Sequence, residues 1–401
     1  MKRHVPVAIA LLALASPAWA QKVTTVPDLT AQQVLAQMAN AGTSLPVGEA
    51  LALTTALEIS TQPSSTSSGG FIFKLDPTTG LQARTITTFG PIFGERALTS
   101  GEGQVSVGAT FRQTTYDRFG DFGLGALPFS STAGSTPSAT KTSTGNLTIS
   151  SRTLEITGIV GVTDNLDIAA VVPLVSVDLA GTSSLIDGNG VNTRLAQTNG
   201  VFSGLGDISA LAKYRFATFK GGPLPDPGGA AIVVEMRLPT GSRENLRGLG
   251  LTRTLVSFVV SGGSGRVHPH ASGGFEFWNK GLDIDGAPGT RVNIRHQIQY
   301  TAGIELEAAP KLTILADFVG QRILGGGQIG TFTGPVTGLA NVTSLTSMVA
   351  IDQGISKMLL APGLKVNLKG KLAAALSAII TMQNNGLHSK VTPFAGINLT
   401  M

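Results

Sequence analysis

Cysteine is absent from the 401-residue chain. Small exported domains lean on disulfides, so a long chain that lacks them must find its stability elsewhere. Charge is also scarce. Only 13% of residues are Asp, Glu, Lys or Arg, and the formal net charge of +5 is scattered. So mild a basic excess does not make a nucleic-acid-binding surface. Aromatic residues contribute 5%. Long apolar runs are missing as well: beyond Leu14 the longest, 168–175 and 372–380, are about half of the roughly 18 residues that a membrane-spanning helix needs. Yet 42% of the chain is hydrophobic and its mean hydropathy is +0.24. That is too much apolar material for a disordered chain. A solenoid would need a fixed repeat of about 20–50 residues, and the sequence has none. Alternating strands hide hydrophobicity piecemeal, and a closed sheet pairs every backbone group with a neighbouring strand.

The first residues carry the pattern of a secretory signal peptide over 1–20. Lys2, Arg3 and His4 form a basic start, 5–14 a short apolar run, and Ala18-Trp19-Ala20 a small-residue cleavage site. The mature chain is then expected to begin at Gln21 with two fewer positive charges.

Residues 21–69 differ from the rest. Thr30 and Gln33 fit a capping box, with Leu29 and Val34 placed as a hydrophobic staple, which predicts a short helix over 31–40. Residues 45–59 suit a helix in composition but end in strand-like Leu57-Glu58-Ile59-Ser60. Residues 62–70 are a Pro/Ser/Thr/Gly linker. The segment reads as an N-terminal extension or a plug.

From residue 70 the pattern switches to period two. Phe71, Phe73 and Leu75 alternate with polar or small positions before the Asp76-Pro77 turn. Val105, Val107, Ala109 and Phe111 oppose Gln104, Ser106, Thr110 and Arg112, which in a strand are the two faces of one sheet. Thr163-Asp164-Asn165 makes a tight hairpin between alternating segments. In 207–216, Ile208, Ala210, Ala212, Tyr214 and Phe216 face out while Lys213 and Arg215 face in. The same grammar sets Glu235 and Arg237, then Arg295 and Glu305, then Asp317 on one face of otherwise apolar strands. It returns in 391–401. Long polar, glycine-rich stretches over 130–146, 181–204, 241–253 and 320–344 read as loops. Short turns alternating with long loops, and strands near 10 residues rather than the 5 or 6 of a sandwich, match an outer-membrane barrel. The expectation is an all-β fold: an antiparallel up-and-down transmembrane β-barrel of about 12–14 strands over 70–401.

Several segments resemble the transporter-like outer-membrane barrels grouped with the meta-pathway phenol-degradation proteins. They are the hairpin Gly161-Val162-Thr163-Asp164-Asn165 running to Pro173; Gly204-Leu205-Gly206-Asp207-Ile208-Ser209 followed by Lys213-Tyr214-Arg215-Phe216; 235–241, ending in Leu238-Pro239-Thr240-Gly241; and Asn384-Asn385-Gly386-Leu387 before Val391-Thr392-Pro393-Phe394-Ala395-Gly396-Ile397. Phe89-Gly90-Pro91-Ile92-Phe93-Gly94-Glu95-Arg96-Ala97-Leu98-Thr99 resembles a segment of related uncharacterised barrels. The resemblance spans roughly 85–401. It implies an outer-membrane protein that passes small, hydrophobic solutes, and no catalytic residues. Such barrels usually end in an aromatic residue, where this sequence has Met401.

Other chemistry is weaker. His268-Pro269-His270 puts two imidazoles on one strand face, but a metal site needs at least three convergent ligands, and Glu276 lies about 26 Å from His268 at strand rise. The glycine clusters 204–206, 262–265 and 325–327 lack the strand-to-helix context and the Gly-Lys-Ser/Thr ending of a phosphate loop. No serine sits in a recognisable nucleophile context. Neither an enzyme nor a cofactor is expected. The charges Lys213, Arg215, Glu235, Arg237, Arg295, Glu305 and Asp317 are the candidate lumen-lining set, because a Lys or Arg facing lipid at mid-depth costs about 2–4 kcal/mol. They either pair across neighbouring strands or line a solute path. The expected partners are the outer-membrane bilayer, a small-molecule solute and the barrel-assembly machinery, with no nucleic acid. Passive passage of small solutes leads. A structural or surface-interaction barrel with a blocked lumen is second, and a secreted soluble β-protein third.

Overall fold

The structure, a computed structural model, describes residues 29–40, 47–65, 73–75, 82–84, 88–219, 228–335 and 341–401. The expected signal peptide lies outside the described residues, as do 66–70 of the linker.

Twelve strands form a ring: β1 (Val105–Tyr116), β2 (Lys141–Thr163), β3 (Leu166–Asp187), β4 (Ser209–Phe219), β5 (Gly228–Arg237), β6 (Arg253–Ser261), β7 (Val267–Trp278), β8 (Arg291–Ala309), β9 (Leu312–Pro335), β10 (Val342–Lys369), β11 (Leu372–Asn384) and β12 (Val391–Thr400). Each pairs antiparallel with the next. The ring closes where β12 pairs with β1, from Phe394↔Arg112 to Thr400↔Ser106. The fold is therefore all-β, a closed 12-stranded antiparallel barrel with extra strands outside the ring and two helices at its N-terminal side. Closure removes the sheet edges that an open sheet of this length would expose.

The two faces of the wall follow the period-two pattern. Along β2, Ile149, Ser151, Thr153, Glu155 and Ile159 are buried and point inward, while Ile156, Val160 and Val162 lie exposed on the outside. All twelve strands carry large exposed apolar side chains on the outer face, for example Phe111 on β1, Phe216 on β4, Met236 on β5, Phe258 on β6, Ile304 on β8 and Leu376 on β11. On β8 these run from Ile298 to Leu306, close to the roughly 9–11 residues a tilted strand needs to cross a bilayer.

Several strands continue well beyond this belt. β10 has 28 residues and β9 has 24, against 12 in β1. The stretches 130–146, 181–204 and 320–335, expected as loops, are largely strand. The strand Leu127–Gly134 joins β2 to β10, Asn192–Leu205 extends β3, and Leu282–Asp285 adds to β8. The polar Ser/Thr composition hid these extensions. On these extensions the outward positions are mostly polar, so the apolar half of the alternation disappears while Thr keeps its β preference. Of the four stretches, only 241–252 is free of helix and strand.

Two helices occupy the upper part of the barrel interior. Helix α1 (Ala31–Ala39) starts at Thr30, whose side chain and that of Gln33 form the expected reciprocal capping box. Helix α2 (Val47–Ser60) resolves the ambiguous 45–59 segment as helix. Of its residues 47–59, all but Glu49 are buried. A helix that is apolar all round must be enclosed, and the upper lumen supplies the enclosure. Gly48 packs so close to Ala36 that a side chain there would overlap the α1 backbone. Leu35, Met38, Leu51 and Leu57 pack with inward-facing Ile149, Val177, Ile294 and Met348 in one core. Each fully buried side chain of this size contributes about 1.5–3 kcal/mol. α1 rests on β3 and 192–205, and α2 on β9, β10 and 387–388.

Candidate functional site in the barrel interior

Below α2 lies an ionic collar. The last turn of a helix presents unpaired carbonyls and partial negative charge, and four wall strands answer with cations. Arg237 Nη1 and Arg253 Nη2 donate to the Ser60 carbonyl at 3.3 and 3.1 Å. Arg112 Nη1 donates to the Pro63 carbonyl at 2.6 Å, and Lys357 Nζ to Thr61 Oγ1 at 2.8 Å. Each cation also has a carboxylate: Glu235 at 2.8 Å from Arg237, Asp207 at 3.3 Å from Arg253, Glu155 at 3.1 Å from Arg112 and Glu58 at 2.7 Å from Lys357. Buried charges persist only when paired in this way.

Lower still, residues 88–100 cross the interior as a strap. Its backbone is held by side chains of the wall. Asp317 Oδ2 accepts N–H bonds from Ile92, Phe93 and Gly94 at 2.9, 2.8 and 3.3 Å. The carboxylate of Asp167 accepts from Ser100 N, and Ser261 Oγ from Ala97 N at 3.0 Å. Lys365 donates to the carbonyls of Phe89 and Pro91 at 3.3 and 2.5 Å. The strap's own charges reach outward to the wall: Glu95 lies 3.2 Å from Lys213 Nζ, and Arg96 forms a bidentate pair with Glu305. These contacts span β3, β4, β6, β8, β9 and β10. His270 lies beside the strap with Nε2 2.9 Å from Asp317 Oδ1, and a side chain at Gly94 or Gly303 would overlap its ring. No three or more His, Asp or Glu side chains are placed to hold a metal ion among the described residues.

Six of the seven candidate residues therefore face the interior, and all six are tied to a partner. Lys213, Glu305 and Asp317 hold the strap. Glu235 and Arg237 belong to the collar. Arg215 binds the β2–β3 turn through the Asp164 carbonyl and Asn165 Oδ1, each at 2.8 Å from Nη2. Arg295 departs from the expected set. A β-bulge at His296, with φ 57°, shifts the β8 register, so Ile294 turns inward and Arg295 lies exposed outside. Period-two counting across 293–305 cannot see such a bulge. Pairing across neighbouring strands, the alternative weighed for these charges, also describes them poorly, since most reach chain inside the barrel. Sequence reasoning missed the collar members Arg253, which fell in an expected loop, and Lys357. It also missed the strap as an interior element. The available signal was Glu95-Arg96 set among Phe93, Ala97 and Leu98 without strand alternation.

Fold and interior together define a closed barrel with an occupied lumen. No family model matches the chain, so the phenol-degradation family stands as a resemblance, and no curated protein matches. Among solved structures it is similar to an outer membrane channel from Pseudomonas putida F1, at 12% identity and a TM-score of 0.45, over 76% of this chain and 98% of that one. It is also similar to the β domain of the Bordetella autotransporter BrkA, at 9% identity and a TM-score of 0.36 over 75% and 100%. A Pseudomonas aeruginosa FadL homologue aligns at 10% identity and a TM-score of 0.33 over 85% and 99%.

Proposed function

We propose that this chain is a bacterial outer-membrane barrel that passes small, mainly apolar solutes, its lumen closed at rest by α1–α2 and by the strap. The observation that carries the membrane assignment is the outer belt: large apolar side chains are exposed on all twelve strands while the interior face holds the charges. A secreted soluble protein does not tolerate a contiguous apolar girdle of this extent. Insertion by the barrel-assembly machinery fits the same reading. The occupied lumen favours a second reading, a structural or surface-interaction barrel that never opens. The two separate in planar bilayers and in liposome swelling with solutes of graded size, using the full chain and a variant lacking 31–60. Passage in the deletion variant that falls with solute size supports the gated channel. A deletion variant that folds, by its gel shift on boiling, yet admits nothing supports the closed barrel.

A further inference from the structure

The end of the barrel that carries the short turns, where Ser106 pairs with Thr400, has an uneven rim. The β8–β9 turn holds Lys311 and the β10–β11 turn holds Lys369, both exposed, with Lys371 half-buried in the same turn. The two turns touch, since Asn367 N donates to the Lys311 carbonyl at 2.9 Å. On the other flank Glu307 N donates to the Arg266 carbonyl at 2.9 Å, which brings exposed Arg266 to the end of β8. Within 262–266, 307–311 and 367–371, half-buried Glu307 is the one carboxylate side chain. Arg266, Lys311 and Lys369 have no ion-pair partner among the described residues. Across the ring the β2–β3 turn carries Asp164, with Glu102 N donating to its Oδ1 at 3.3 Å, and both residues are exposed. One side of this rim is therefore cationic and the opposite side anionic.

The cationic arc borders the apolar belt directly. Leu306 faces Ile314, Ile314 faces Leu364 and Leu364 faces Leu376 in register across β8 to β11. All four are exposed on the outer wall. Lys311 lies three residues from Ile314, about 10 Å at strand rise, and exposed Leu368 immediately precedes Lys369. A lysine at the edge of hydrocarbon lays its stem along the apolar surface and carries its ammonium into the headgroup layer. An apolar row four strands wide with cations at one end has the outline of a phospholipid. A zwitterionic headgroup brings its own cation to such a place and gains little. A headgroup of net negative charge gains the full attraction.

We propose that this arc is a docking site for an anionic phospholipid whose headgroup has a phosphodiester and no amine. Its acyl chains lie on Leu306, Ile314, Leu364 and Leu376, and its phosphate meets Lys311 and Lys369. The site rests on the outer-membrane reading and is independent of whether the lumen opens.

Quenching of tryptophan emission by brominated lipid tests it. Two reporters sit at matching places beside their turns: Leu368→Trp on the cationic arc, and Val162→Trp next to Asp164 across the ring. The emission of the chain without a reporter, Trp278 included, is subtracted. Each variant of the full chain is reconstituted into phosphatidylcholine vesicles with rising fractions of chain-brominated phosphatidylglycerol, and with brominated phosphatidylcholine as the reference. A lysine near an anionic lipid is worth about fivefold in occupancy. The reporter at 368 should therefore favour phosphatidylglycerol at least about fivefold, and the reporter at 162 less than about twofold. Lys311→Gln with Lys369→Gln should bring the preference at 368 below about twofold while the boiling-dependent gel shift is kept. The comparison of the two reporters is made with the rim lysines intact, so it decides the matter even where the double variant misfolds. Quenching at both positions with the same preference overturns the site and leaves the membrane belt standing. So does a preference at 368 that survives the loss of both lysines. Absence of quenching by brominated phosphatidylcholine at both positions removes the belt, and the site with it.

Discussion

Lys357 Nζ lies 2.7 Å from Glu58 Oε2, so that the only charged group in the second half of α2 is joined to the barrel wall on β10. Asn384 Nδ2 completes the carboxylate's environment at 3.1 Å. Lys357→Met leaves Glu58 buried without its cation, a change that costs about 3–5 kcal/mol. The expected result is faster hydrogen exchange through 47–60 and more frequent opening events in planar bilayers. Adding Glu58→Gln should recover most of the loss, and a double variant as loose as the single one would show that the pair does not hold the helix.

The strap depends on Asp317 more than on any other wall residue, since one carboxylate oxygen accepts from three successive N–H groups. Asp317→Ala is expected to free 88–100, read as new protease cuts within the segment and as higher conductance in the variant lacking 31–60. Unchanged cleavage would mean that the ion pairs of Glu95 and Arg96, with Asp167, Ser261 and Lys365, hold the strap without it.

Arg237 and Arg295 were equivalent in the sequence pattern and are not in the fold. Arg237→Ala should shift the reversal potential measured across a salt gradient in the 31–60-deleted barrel, because its partner Glu235 would remain at the collar. Arg295→Ala should leave it unaltered, because the side chain lies outside the wall. A shift with Arg295→Ala would contradict the inward turn of Ile294 ahead of the His296 bulge.

Phe258 stands at mid-belt on β6 and is 53% exposed. Phe258→Lys would place an ammonium in hydrocarbon and should lower folding stability in vesicles by about 2–4 kcal/mol. A urea titration of refolding into lipid reads this directly, and a neutral result would put the belt in water.

The barrel was legible in the sequence because its wall obeys one simple period. Val105, Val107, Ala109 and Phe111 opposite Gln104, Ser106, Thr110 and Arg112 is the pattern observed on β1, and the Thr163-Asp164-Asn165 turn lies where the sequence puts it. The capping box likewise marked the start of α1 to the residue. What stayed hidden has three physical causes. A single left-handed residue at His296 inverts the faces of everything before it on β8. The extended ends of β2, β3 and β9 lose the apolar half of their alternation because their outward positions are mostly polar. Chain inside a lumen has no period of its own, so 88–100 has no strand alternation to announce its place. The charges themselves were found, but partnership is a three-dimensional property, and Glu305 gives no hint in one dimension that Arg96 will meet it.

The material inside this cylinder precedes its first stave in the chain, and the β12–β1 seam joins the last stave to the first. α2 is too bulky and too oily to be drawn through a finished hoop. The contents therefore precede, in chain order, the seam from Phe394 to Thr400 that completes the wall around them. Chain order thus delivers the contents ahead of the final stave that encloses them.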